Sequence, residues 1–75
     1  MPGSATIAAL GADARTRGYA LAGVRVAVAE DDESVHAAWR GLPPEVAIVI
    51  LTPDAARVLG PALLDASDRL TVVMP

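Results

Sequence analysis

Four short apolar runs recur along this chain, separated by stretches with helical signals, and this alternation constrains the fold more than any other feature. The runs are Ala5 to Leu10, Val24 to Ala29, Val46 to Leu51 and Leu70 to Met74. The third, VAIVIL, is the clearest strand pattern. The first is apolar on both faces, as in a central parallel strand covered by helices on each side. Arg25 in the second run marks an edge. Between the runs, three helices are expected. The first opens after Gly11, with Asp13 or Thr16 as N-cap, and reaches about Ala22. Its Ala14, Gly18, Leu21 and Ala22 share one face, small enough to lie close to the sheet, and Gly23 caps its end. The second starts at Asp31 or Asp32, carries Val35, Ala38, Trp39 and Leu42 at helical spacing, and ends at Gly41 before Pro43-Pro44. The third starts at Thr52-Pro53, a capping threonine followed by proline in the first turn. Gly60-Pro61 inside it predicts a kink or a restart.

A βαβαβαβ order with short connections argues a parallel sheet with right-handed crossovers and helices on both faces. The expected fold class is α/β: a small four-stranded parallel sheet of order 2-1-3-4, Rossmann-like or flavodoxin-like, in three α/β/α layers. The switch point then falls between strands 1 and 3.

A chain of 75 residues holds one domain, spanning 1–75, with Met1 to Ser4 an expected disordered lead. A domain of this size buries only about 60% of its unfolded surface. With 53% apolar residues, one Trp, one Tyr and no Phe, the core is built from Ala, Val, Leu and Ile. Small apolar chains of this kind often complete their core against a partner or a missing segment. The net charge is -3, and the six basic residues, all Arg, are scattered. Without a basic stripe, nucleic acid is not an expected partner. The absence of Cys excludes disulfides and thiolate metal sites. No basic region precedes the first apolar run, so no secretory signal is expected. The longest apolar run is too short for a bilayer, so direct membrane insertion is not expected either. The expected location is cytoplasmic, with any membrane association made through a partner.

Several residues invite a chemical reading. The switch-point crevice is expected between Gly11-Ala12-Asp13 and Thr52-Pro53-Asp54. Its single glycine matches neither a dinucleotide fingerprint nor a P-loop, so no cofactor is assigned. Glu30-Asp31-Asp32-Glu33 has the carboxylates of a hard-metal site, but consecutive residues rarely converge on one ion, and helix capping explains them better. A phosphoacceptor receiver domain has a similar element order. It requires its acidic pair after strand 1 and an Asp ending strand 3, whereas here the acids follow strand 2 and strand 3 ends in Leu51-Thr52. His36, the single histidine, has no partner for a triad or a metal site. Trp39 is read as packing its helix on the sheet or as a partner anchor, and Tyr19 carries the same two readings. No catalytic residue emerges.

The pattern Gly11, six residues, then Gly18-Tyr19-x-Leu21-Ala22-Gly23 resembles the N-terminal signature of the F subunits of V-type and A-type (archaeal-type) rotary ATPases and ATP synthases. The acidic start of the second helix, the third run ending at Thr52, and the last run ending at Pro75 are similar too. The sequence departs from the family pattern at Ala12, where Asp is usual, and at Tyr19, where Phe is common. The family continues past the fourth strand into a helical C-terminal segment, while this sequence ends at Pro75. The resemblance implies a non-catalytic component of the central stalk, without a cofactor. It implies binding to the coiled-coil D subunit of that stalk and, through it, to the catalytic A and B subunits, helping to couple ATP synthesis or hydrolysis to proton or sodium transport. The partner surface is expected around Asp13, Arg15, Arg17 and Asp31. A phospho-receiver-like or ligand-binding flavodoxin-like signalling module is the alternative.

Overall fold

Each apolar run becomes a parallel strand. The computed structural model describes residues 6–21 and 23–75; the expected lead, Ala5 and Ala22 lie outside the described residues. The elements are β1 (Thr6–Gly11), α1 (Asp13–Ala20), β2 (Arg25–Val28), α2 (Asp32–Arg40), β3 (Val46–Leu51), α3 (Pro53–Leu59), α4 (Pro61–Ala66) and β4 (Leu70–Val73). The four strands form one parallel sheet in the order β2-β1-β3-β4, as expected. Arg25 is exposed on the edge strand β2. No helix of the described residues is long and apolar enough to cross a membrane.

The sheet grows one way from β1 to β2 and the other way from β1 to β3 and β4. Right-handed crossovers therefore place α1 on one face and the later helices on the opposite face. α1 lies against β1 and β2, while α2 and α3 pack on each other and on β1. The main core is on the α2/α3 face. It holds Leu10, Val49 and Leu51, all fully buried, with Val35, Leu42, Ala55 and Leu59 around them. Each such Leu or Val contributes about 2 kcal/mol by leaving water. Trp39, Leu63 and Leu64 close the margin of this core, so Trp39 serves the packing role expected of it.

Gly60 and Pro61 split the expected third helix in two. Gly60 takes φ 86°, and Pro61 opens α4 at its first position. The proline has no N–H to continue the ladder, so the chain restarts.

α1 departs from the expected arrangement. Neither Asp13 nor Thr16 is the N-cap; that position is Ala12, which has no capping side chain. The helix ends at Ala20 and Leu21 is its C-cap; Gly23 takes a positive φ of 81° two residues later. The face expected against the sheet is also reversed. Ala14, Gly18 and Leu21 are exposed, Leu21 at 94%, and Thr16 is the residue buried beneath the helix. A buried threonine is tolerated because its hydroxyl donates to the Ala12 carbonyl, four residues back, at 3.0 Å.

A second feature that periodicity does not reveal is Arg69. Its Nε donates to the Val46 carbonyl at 2.9 Å, and its Nη2 donates to the Pro43 and Leu42 carbonyls at 2.9 and 3.3 Å. The guanidinium also lies 5.7 Å from the centre of the Trp39 ring. One side chain thus ties the start of β4 to the turn between α2 and β3.

Candidate functional site

At the C-terminal ends of the strands, the loops after β1, β2 and β3 border a cleft of about 240 Å³. Arg15, Glu30, Asp31, Thr52 and Asp54 are on its walls. This is the switch-point crevice expected from the topology. Its volume falls below the roughly 300–1,000 Å³ usual for small-molecule sites.

Most charges around the cleft are engaged with one another or with backbone. The Asp13 N–H, left without a local cap, donates to Glu30 Oε2 at 3.0 Å. Glu30, from the loop after β2, therefore substitutes for the missing cap of α1. The Asp13 carboxylate pairs with Arg17 one turn on, and Asp54 pairs likewise with Arg57. Both pairs are solvent-exposed, so each is worth only about 0.5 kcal/mol. Arg15 Nη2 donates to the Pro75 carbonyl at 2.9 Å. Thr16 and Thr52, the buried polar side chains, are both committed to backbone: Thr52 Oγ1 accepts from Ala55 N–H at 3.1 Å and caps α3. Among the described residues, no three His, Asp or Glu side chains converge in a way that holds a metal ion.

Asp31 is the N-cap of α2. Its Oδ1 accepts from Ser34 N–H at 2.8 Å, while Ser34 Oγ accepts from Asp31 N–H at 3.0 Å. This reciprocal capping box gives Asp31 its role as the cap of α2. The Ser34 N–H, and after it the Ser34 hydroxyl, hold the Asp31 carboxyl below its usual value of 3.8. A carboxyl depressed in the folded state adds stability above its unfolded pKa and loses it as pH falls through the folded value. Asp31→Ala is thus expected to melt below the wild type at neutral pH. The gap should narrow progressively as the pH falls from 3.8 through the lower folded-state value, as thermal unfolding at a series of pH values will show.

Of the four expected partner-binding residues, Arg15 and Asp31 line the cleft. Asp13 is joined to it through Glu30, and Arg17 stands one turn along α1, paired with Asp13. The signature residues separate into two groups. Gly11 is buried and serves the fold: its φ is +153°, and a Cβ there would meet Thr52 Cγ2 at 2.2 Å. Tyr19 is half-buried, whereas Gly18, Leu21 and Gly23 are on the surface. A Cβ at Gly18 would meet nothing within 4 Å. Ala22 lies outside the described residues. The surface position of this corner was not legible, because the small residues of α1 looked like a sheet-facing stripe. Comparison of the chain with protein-family models, curated proteins and solved structures finds no match.

Proposed function

We propose that this chain is a non-catalytic central-stalk component of a V-type or A-type rotary ATPase. In this reading it binds the coiled-coil protein of the stalk and helps couple ATP synthesis or hydrolysis to proton or sodium transport. It is cytoplasmic and held near the membrane by the complex. The observation that carries the reading is the placement of the signature: Gly18 and Leu21 are spelled as in the stalk family, yet no contact among the described residues accounts for them. Residues that the fold does not use are free for a partner. The rim of the strand-end cleft, with Asp13, Arg15, Arg17 and Asp31, extends that surface.

Co-expression with the coiled-coil stalk protein from the same genome, followed by size-exclusion chromatography, tests the proposal. A 1:1 complex is expected. Alanine substitution of Arg15 and Arg17 together is expected to weaken it at least tenfold. Separate elution of the two wild-type proteins would count against the assignment.

The cleft itself favours a second reading, a small ligand-binding signalling module, because its place at the switch point is where open α/β sheets bind ligands. Thermal shift with nucleotides and flavins would reveal it.

A further inference from the structure

The α1 face of the sheet is only half covered. α1 lies over β1 and β2, and among the described residues no other helix shares that face. Alternation along the strands puts Ile48 and Ile50 of β3 on it, with Leu70 and Val72 of β4 directly opposite them in register. These four form an aliphatic strip outside the main core. Leu70 is 61% exposed and Val72 45%. A parallel sheet is normally buried on both faces. The same side of the molecule carries a second unused apolar surface, the outer stripe of α1. Ala14, Gly18 and Leu21 stand at i, i+4 and i+7 along it, and all three are exposed.

We propose that these two surfaces bind each other between two copies of this chain. A two-fold axis parallel to the strands, placed between α1 and the bare strip, carries α1 of the second copy onto β3 and β4 of the first. The same operation seats the first copy's α1 on the second copy's strip, so the contact is isologous and closed. The dimensions agree. The centre of the strip is two strand spacings from that of the β1/β2 pair, about 10 Å, which is the distance at which neighbouring helices pack. α1 has eight residues and is about 12 Å long, while the four residues of β4 span about 13 Å. Gly18, with open space around it, lets the helix approach the flat strip closely. α1 runs opposite to the strands, so its Leu21 end falls over the Leu70 end of β4. The acidic first turn, with Asp13, falls at the other end, where Arg15 reaches the last residue after β4. Arg15 makes no ion pair among the described residues, and Asp13 of the second copy offers it one. The second copy thus supplies the missing half of the helix layer. The contact, one short helix on one two-strand strip made twice, is at the small end of specific interfaces, so a reversible monomer–dimer equilibrium is expected. The inference does not depend on the rotary-stalk reading.

Sedimentation velocity of the 75-residue chain over a concentration series, from low micromolar to millimolar, tests it. A monomer–dimer equilibrium is expected. Leu21→Glu and Leu70→Arg, each at an exposed site, should each shift the chain to monomer with unchanged circular dichroism. The double variant should dimerise again, because the two new charges meet across the interface. A wild type that stays monomeric throughout overturns the proposal. So does a dimer that survives both single substitutions, which would place the contact elsewhere, such as the free edge of β4. Failure of the double variant to recover would refute the Leu21–Leu70 pairing on which the geometry rests.

Discussion

Gly11→Ala is expected to destabilise the domain by about 3 kcal/mol or more, enough to leave much of a chain this small unfolded at physiological temperature. Two physical terms act together. The backbone at Gly11 has a φ of +153°, a conformation that side-chain-bearing residues rarely adopt. The new Cβ would also lie 2.2, 2.5 and 2.9 Å from the Cγ2, Oγ1 and Cβ of Thr52. Thr52 cannot swing away freely, because it is buried and its hydroxyl caps α3 through Ala55 N–H. Thr52→Ala alone should cost about 1 kcal/mol as a lost cap. Combining the two should cost less than their sum, since removing the threonine side chain relieves part of the clash. Urea unfolding followed by Trp39 fluorescence measures all three. Additive costs would mean that Gly11 and Thr52 do not abut.

Arg69→Ala is expected to cost about 2–3 kcal/mol, lowering the melting temperature by roughly 10 °C or more. The guanidinium serves three carbonyls, those of Leu42, Pro43 and Val46, and lies against Trp39. Truncation takes that donor from all three carbonyls, of which Pro43 keeps only the Val46 N–H, and it frees the turn before β3 from the strand that pairs with it. Arg69→Lys should recover only a minor part of the loss, because one ammonium cannot reproduce the planar fork that reaches several carbonyls at once. Thermal unfolding of both variants decides this. Equal stability of the lysine variant and wild type would show that charge alone, without the fork, accounts for the effect.

The strands and their order were legible because buried parallel strands are short aliphatic runs, and three such runs lie beside strong helix signals. Thr52-Pro53 and Asp31 acted at the ends of their helices as capping chemistry dictates. Gly60-Pro61 broke the third helix for the reason its residues announce. What sequence reasoning missed depends on distant groups. The cap of α1 comes from Glu30, on another loop, and cannot be seen from residues near Asp13. The Arg69 guanidinium bonds to carbonyls, which every residue possesses, so no pattern marks its partners. The orientation of α1 was misread because a stripe of Ala14, Gly18 and Leu21 suits a sheet and a partner equally well. The buried position went instead to Thr16, whose hydroxyl satisfies itself on its own helix.

That reversal links the fold to the proposed role. If Gly18 had lain on the inner face of α1, the signature would have had an internal explanation. On the outer face it has none, and the stalk reading and the self-association both draw on this same corner. A stalk helix seated on α1 would displace the second copy, so binding is best measured below the concentration at which the chain dimerises.

The most direct test of whether the exposed part of the signature, Gly18 and Leu21, serves a partner and not the fold is Gly18→Gln. The site is helical and open, with no atom near the added Cβ. The substitution should therefore stabilise the domain by about 0.5 kcal/mol, since glycine is a poor helix residue. Thermal unfolding confirms that gain, and isothermal titration with the coiled-coil stalk protein then reads the effect on binding. A more stable domain that binds the stalk at least tenfold more weakly than wild type is expected. Wild-type affinity in the variant, or no binding by the wild type, would contradict it.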